Sequence, residues 1–335
     1  MSSDCWATVF KACGHEFSFF DVGARDGIEQ PWKTYEQLLS ITAFEPDKEE
    51  SEKLSNYLRV IDKALAESEC TRELRLLKSR GCSSLLAPNY DFLQCFPESE
   101  RFGVEKTETQ MCTSLDKLKE EGKIESIDFI KIDTQGTEKY ILEGGAEALR
   151  QCVGIQVEVE FHQMYQGQPL FADVDQFIRT SLGLDLQDLK KAYWKYKTEA
   201  QAKTSKGTLI FGDALYFRRP DRVAEWLESL PEEIRFRKAV NLVFMGYIYG
   251  YHDYCFKLLE IEVVRQLLYS HLDLLTKAVL AGNGNLAWYL PERLRSALGH
   301  RFLVLGNFFR PSYRNWATSG EGLGNKKKLG FFTSR

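Results

Sequence analysis

The sequence has 335 residues, of which 44% are hydrophobic, and a formal net charge of −4. This length predicts one large α/β domain with a smaller appended unit, and the hydrophobic fraction is sufficient for a sizeable core. The charge lacks the basic excess typical of proteins that bind nucleic acid, so we expect no nucleic-acid partner. No apolar run approaches the roughly 18 residues of a membrane span. Residues 1–10 lack the pattern of a secretory signal.

Eight cysteines are scattered between Cys5 and Cys255, and no two of them form a C-x-x-C pair. Zinc-ribbon and thioredoxin-like functions therefore have little support. The scatter predicts reduced, mostly buried thiols in a cytoplasmic protein.

Short apolar runs alternate with helical patterns from Phe17 to about Arg219, which predicts a parallel sheet with crossover helices. Within this region, residues 72–86 are predicted to leave the sheet, and residues 89–102 are predicted to form an irregular flap. In chain order, the predicted strands are 17–22, 41–44, 60–65, 127–133, 153–161 and 208–218, and the predicted helices are 31–39, 48–57, 114–121, 138–149 and 171–182.

A helical period replaces this alternation from Pro220 to Phe309. We therefore divide the chain into a domain of residues 1–219, a helical extension of residues 220–318 and a flexible basic tail of residues 319–335. The extension could form a homo-oligomer or cover a substrate cleft. Its tyrosines could stack on sugars or simply belong to a helical core; they are Tyr247, Tyr249, Tyr251 and Tyr254.

A glycine-containing turn, Asp21-Val-Gly23-Ala-Arg-Asp-Gly27, follows the first predicted strand and precedes a predicted helix. Glycine permits a sharp turn and lets a ligand approach the backbone closely. A dinucleotide site would require glycine where Arg25 stands. Asp21, at the strand end, suits a ligand with an ammonium group better than one with a pyrophosphate. A tight turn without a ligand is the alternative.

The second predicted strand ends at Glu45, a little under twenty residues after Gly27, and Asp47 follows. At this place in a Rossmann-type sheet, a carboxylate accepts hydrogen bonds from the two ribose hydroxyls of a nucleoside. Glu45 could otherwise be a surface residue or a helix cap. Together with the glycine turn, it favours a nucleoside ligand.

Two charged residues, Lys131 and Asp133, interrupt the apolar strand of residues 127–133. Burial of such groups is costly unless they are paired or reach an open edge of the sheet. Because open α/β sheets bind ligands at the carboxyl ends of their strands, we expect Asp133 to face the substrate. It could instead cap the next helix.

The following strand carries Glu158 and Glu160 on one face, and His162 stands at its end. A histidine beside carboxylates can accept a proton from a hydroxyl at neutral pH, so His162 is the best candidate for a base. Such a cluster could equally bind a divalent ion, although nothing in the sequence requires a metal. An ordinary structural histidine is the alternative.

These motifs resemble the FkbM family of methyltransferases. The resemblance rests on Phe20–Gly27, Phe44–Asp47, Ser114–Asp116, Ile127–Glu138 with Leu142–Gly145, Glu158–His162 with Tyr165–Phe171, and Asp213–Arg218. It spans about Phe17 to Arg219. It implies a Rossmann-like class I methyltransferase sheet that uses S-adenosylmethionine to methylate a hydroxyl group of a glycan or a polyketide-like small molecule. By that resemblance Asp21, Gly23, Gly27 and Glu45 would hold the cofactor, and Asp133 and His162 would face the substrate. We add Asp47 to the cofactor-binding candidates and Glu160 to the catalytic candidates.

Two other functions remain open from the sequence. An NAD-dependent oxidoreductase would use a similar sheet, but the second glycine of its motif and a second dinucleotide half are lacking. A non-catalytic scaffold would keep the fold and present the helical extension as a binding surface. The three acidic strand ends, Asp21, Glu45 and Asp133, argue against a scaffold.

Overall fold

The computed structural model describes residues 2–25, 27–56, 58–198, 205–281, 315–319 and 323. Its strands, in chain order, are β1 (Phe17–Val22), β2 (Leu39–Phe44), β3 (Arg59–Ile61), β4 (Ala64–Leu65), β5 (Cys70–Leu77), β6 (Val104–Thr113), β7 (Phe129–Ile132), β8 (Gly154–Glu160), β9 (Asp185–Trp194), β10 (Thr208–Phe217) and β11 (Ala317–Ser319).

The main sheet has the strand order β11-β9-β10-β8-β7-β1-β2-β3. Strands β3, β2, β1, β7 and β8 are parallel, and β10 lies antiparallel to both β8 and β9. This arrangement confirms the predicted α/β class and the Rossmann-like class I methyltransferase sheet. Strand β9, which the sequence did not predict, consists mostly of partly buried residues and lacks a strong apolar run.

A second, smaller sheet has the order β4-β6-β5. The strand predicted over residues 60–65 is in fact two strands, because β3 joins the main sheet and β4 joins the small one. Strand β6 was missed because most of its residues are exposed and polar, so it carries little of the apolar pattern that predicts a strand.

The helices include one at the N-terminus that the sequence did not predict. They are α1 (Ser2–Cys13), α2 (Lys48–Leu54), α3 (Tyr90–Leu93), α4 (Leu115–Glu120), α5 (Glu138–Glu143), α6 (Phe171–Phe177), α7 (Pro220–Ser229), α8 (Glu232–Ile248), α9 (His252–Glu260), α10 (Glu262–Leu267) and α11 (Leu272–Ala281). The helix predicted over residues 31–39 is a 3-10 helix, Trp32–Leu38. Helix α5 ends at Glu143, six residues before the predicted end at Leu149. Gly144 follows it, and a side chain there would overlap the carbonyl of Ala66.

Both faces of the main sheet are buried, as parallel strands require. On one face Phe19 of β1 stacks on Phe129 of β7, with ring centroids 6.0 Å apart, against α1 and α8. On the other face Phe20 and Ile130 pack with residues of α4, α5 and α6. The alternation of these side chains therefore fixes the register of β1 against β7.

Helices α7–α11 share one hydrophobic cluster with α1 and the first face of the main sheet. The four tyrosines of the extension are buried in this cluster, as expected of a helical core. The division at residue 219 remains a prediction, and β11 returns the chain to the sheet edge beside β9. Residues 282–314 of the predicted extension and the tail beyond 319, apart from 323, lie outside the described residues.

Candidate functional site

A cavity of about 220 Å³ lies at the carboxyl ends of β1, β2 and β7, and the small sheet forms its other wall. Its lining includes four of the predicted site residues, which are Gly23, Glu45, Asp47 and Asp133. These come from three separate segments of the chain. The topology therefore brings together the strand ends that the sequence singled out.

Gly23 allows two of these strand ends to meet. Its φ is +80°, and a Cβ at this position would overlap the carbonyl oxygen of Asp133. Its N–H donates to the carbonyl of Phe44 at 3.0 Å. Gly27, with φ +79°, does not line the cavity but closes the turn by donating its N–H to the carbonyl of Ala24. The two glycines therefore shape the turn from opposite ends.

Asp21 is 1% exposed and opposes the ammonium of Lys131, whose Nζ lies 3.6 Å from Asp21 Oδ1. Burial raises the pKa of Asp21 to about 6, although Lys131 opposes the increase. Burial lowers the pKa of Lys131, but Asp21 and Asp133 more than offset this effect and keep the amine charged. The ion pair with Asp21 explains how a lysine is tolerated in an apolar strand. Lys131 also lines the cavity.

The carboxylates of Glu45 and Asp47 differ in how many hydrogen-bond donors the protein already provides to their oxygens. Asp47 caps α2 by accepting the N–H of Glu49, and its other oxygen accepts from Arg25 Nη2 at 3.2 Å. Glu45 Oε1 accepts the N–H of Asp47 at 2.8 Å. Burial raises the pKa of Glu45 to about 7, despite the Asp47 amide and Arg25. Glu45 is therefore the carboxylate with oxygen capacity left for a ligand in the cavity.

Asp133 lines the cavity, but Glu160 and His162, the other two candidates for the substrate side, do not. The ring of His162 stacks on Phe92, with centroids 5.2 Å apart. Glu160, the last residue of β8, is 1% exposed. A two-residue period would place His162 on the same face as Glu158 and Glu160 only if the strand continued. Because β8 ends at Glu160, the side chain of His162 does not follow that alternation.

A group of three buried carboxylates, Glu138, Glu158 and Glu160, lies behind Asp133, with one oxygen from each within 4.8 Å of the others. Gln135 connects this group to the cavity, because its Nε2 donates to Asp133 Oδ1 at 2.9 Å and to Glu158 Oε2 at 2.6 Å. The sequence pattern indicated Glu158 and Glu160 as members of a cluster that could bind a divalent ion, but it indicated neither Glu138 nor Gln135. Only the alternation of glutamates in β8 hinted at the group.

Residues 21–186 match the family model of the methyltransferase FkbM domain. The match confirms the family predicted from the sequence, although it ends before the last strands of the main sheet. No curated protein matches the chain. Among the residues described, no helix has both the length and the apolar character needed to cross a membrane.

Similar solved structures include three methyltransferases. Methyltransferase FkbM from Methylobacillus flagellatus is 14% identical, with a TM-score of 0.34 over 61% of this chain and 46% of that chain. This chain thus spans less than half the length of that relative. A TehB-like SAM-dependent methyltransferase from Corynebacterium glutamicum is 10% identical (TM-score 0.28, 64% and 88% covered), and an antibiotic-related methyltransferase is 13% identical (TM-score 0.27, 64% and 93% covered).

Proposed function

We propose that the methyltransferase FkbM domain formed by residues 21–186 binds S-adenosylmethionine and methylates a hydroxyl group of a small-molecule or glycan acceptor. The observation that carries this proposal is the cavity in which Gly23, Glu45 and Asp133 meet at three strand ends. Open α/β sheets bind their ligands at this edge.

The polar groups around the cavity suit the three functional parts of this cofactor. Glu45 would accept hydrogen bonds from the ribose hydroxyls, since one of its oxygens has no backbone donor. Asp21 would attract the ammonium of the methionine moiety, and Lys131 beside it would attract the carboxylate. Gly23 provides space where a side chain would collide with Asp133. When bound, the cofactor supplies an electrophilic methyl group on a sulfonium.

Asp133 is our first candidate for the proton acceptor, because it lines the cavity. The acceptor oxygen would form a bond to the methyl carbon as the carbon–sulfur bond breaks, and the hydroxyl proton would pass to Asp133. Orientation of the hydroxyl in line with that carbon would lower the barrier. His162 is the second candidate, and a role for it would require the segment that holds it against Phe92 to move.

The small sheet supplies the part of the cavity wall that could recognise the acceptor. Arg80, Ser83 and Ser84 lie in the loop after β5 and line the same cavity as Asp133. Hydroxyl and guanidinium groups are suited to hydrogen bonds with a polyhydroxylated molecule such as a sugar. A cytoplasmic location and self-association through the helical extension remain further predictions.

Calorimetric titration with S-adenosylmethionine and its demethylated product tests the proposal. We expect micromolar binding that Asp21→Ala and Glu45→Ala abolish and that Glu36→Ala, at an exposed position, leaves unchanged. Absence of binding by the folded protein would contradict the proposal and favour a scaffold function. Binding of NAD alone would favour the oxidoreductase.

A further inference from the structure

Two cysteines oppose each other in the small sheet that forms one wall of the cavity. Cys70 begins β5 and Cys112 lies near the end of β6, and the two residues are direct partners in the antiparallel register. The side chains of directly opposed residues project from the same face of a sheet. All eight cysteines of the chain are free thiols, and these two are the ones that lie in the strands described.

The backbone of β6 shows which type of pair the two cysteines form. The N–H of Ala66 donates to the carbonyl of Thr113, so Thr113 directs its backbone groups toward β4. Because these groups alternate along a strand, Cys112 directs its own toward β5 and pairs with Cys70 through hydrogen bonds. The Cα atoms of such a pair are about 5.5 Å apart. This separation falls within the range of roughly 4.4–6.8 Å that a disulfide spans.

The two thiols are in contact but differ in their access to solvent. Burial, and after it the neighbouring Cys70 thiol, raise the pKa of Cys112 to about 11. Cys112 is 4% exposed, whereas Cys70 is only partly buried. Reactivity of a thiol depends on its exposure as well as on its pKa. Cys70 is therefore the thiol that a reagent from solution meets first, with Cys112 held beside it.

The apolar cluster around this pair reaches the cavity. It consists of Ala64, Ala66 and Cys112, with Cys70 and Leu85 packed against them. Ala64 and Leu85 also line the cavity. A bond between the two sulfurs would shorten the Cβ–Cβ separation from the roughly 4.5–5.5 Å of opposed residues to about 3.8 Å. In a close-packed cluster the neighbours must shift as well, so the cavity wall changes shape.

We propose that Cys70 and Cys112 form a reversible redox site, in which a low-molecular-weight disulfide such as oxidised glutathione converts them into a cross-strand disulfide that reshapes the cavity wall. The thiolate of Cys70 attacks one sulfur of the reagent, which forms a mixed disulfide and releases one glutathione thiolate. The thiolate of Cys112 then attacks Cys70 Sγ and releases the second. The two cysteine protons pass to the two glutathione thiolates, so two cysteines are oxidised as one glutathione disulfide is reduced.

The disulfide also regulates the cofactor site, a consequence that rests on the proposed function. Because Ala64 and Leu85 shape the cavity in the reduced protein, we expect the oxidised protein to bind S-adenosylmethionine more weakly. The decrease should be roughly 5–150-fold, the usual range for coupling between two sites. Coupling is reciprocal, so bound cofactor should favour the reduced thiols by the same factor.

Peptide mass spectrometry tests the disulfide itself. The full chain is equilibrated in buffers of reduced and oxidised glutathione, quenched with acid and alkylated at its remaining thiols. We expect one cross-linked pair of peptides, which carries Cys70 and Cys112 and disappears in the reducing buffers. Cys70→Ala should lose the cross-link, whereas Cys95→Ala, the matched control at an exposed cysteine, should retain it. The proposal is overturned if wild-type Cys70 stops at the mixed disulfide or if both thiols are alkylated in every oxidising buffer.

Hydrogen exchange and cofactor titration measure the effect on the cavity. Oxidation should change amide exchange in residues 64–66 and 83–85 of the wild type but not of Cys70→Ala, and unchanged exchange in the wild type would overturn the link to the cavity. Equal affinities of the reduced and oxidised protein for S-adenosylmethionine would overturn the regulation. If the reduced protein binds no cofactor, the proposed function fails, whereas the cross-link and the exchange data still decide the redox site.

Discussion

Lys238 of α8 places its Nζ 2.6 Å from Oδ1 of Asp128, and both side chains are almost completely buried. The same ammonium donates to Ser126 Oγ and to the carbonyl of Ile127, while Asp128 Oδ2 accepts the N–H of Ser18. This network fastens the helical extension to the amino ends of β1 and β7. Residues far apart in the sequence thus share one buried polar network.

Lys238→Met should lower the free energy of unfolding by about 3–5 kcal/mol, because it leaves Asp128 buried without a cationic partner. Urea denaturation measures the change. Lys257→Met, which breaks an exposed pair with Glu260, should cost less than about 1 kcal/mol. The double variant Lys238→Met/Asp128→Asn should recover part of the loss. Equal stabilities of Lys238→Met and Lys257→Met would show that the buried pair does not hold α8.

Gly23→Ala should destabilise the protein by more than about 3 kcal/mol, because the added Cβ meets the Asp133 carbonyl and the φ of +80° disfavours a side chain. Gly14→Ala is the matched control. Gly14 has a similar φ of +69° but open space around its Cβ position, so only the conformational cost of about 1 kcal/mol applies.

Thermal unfolding separates the two costs, and titration with S-adenosylmethionine shows their consequence. Gly14→Ala should bind normally, whereas Gly23→Ala should not bind even at temperatures where it is folded. Similar losses of stability in both variants would mean that β1 and β7 can separate at little cost.

The affinity for S-adenosylmethionine should increase as the pH rises from 5.5 to 7.5. Burial raises the pKa of Glu45 to about 7 and that of Asp21 to about 6, and both must be ionised to bind ribose hydroxyls and an ammonium. Below its pKa, each group reduces the affinity by about tenfold per pH unit, because a proton must first be released. Calorimetry across this range gives the profile.

Glu45→Gln identifies the group responsible for the upper step. The variant should bind more weakly at pH 7.5, and its remaining pH dependence should lie near pH 6, where Asp21 titrates. A flat profile in the wild type would contradict the assignment of these carboxylates to the cofactor. In the unliganded protein the same raised pKa makes Glu45 favour the folded state below pH 4.5, and this contribution is lost as the pH rises through about 7.

The sequence was sufficient to predict which strand ends lie together around the cavity. Gly23 and Glu45 follow predicted strands and Asp133 is the last residue of another, and parallel strands end at one edge. The carboxylate group could not be predicted in this way. Glu138 joins the group only because the turn before α5 folds back, so that its carboxylate accepts the N–H of Gly136.

Asp133→Asn and His162→Gln distinguish the two candidate proton acceptors. Asp133 lines the cavity, whereas His162 stacks on Phe92, so we expect Asp133→Asn to lower kcat by roughly 10²–10⁴-fold and His162→Gln to change it little. Cofactor affinity should be nearly unchanged in both variants, because the proposed partners of the ribose and of the ammonium are Glu45 and Asp21. Single-turnover methylation, once an acceptor is known, measures the chemical step without product release. If His162→Gln has the larger effect, the segment that holds His162 must rearrange in the complex, and Asp133 would instead orient the acceptor.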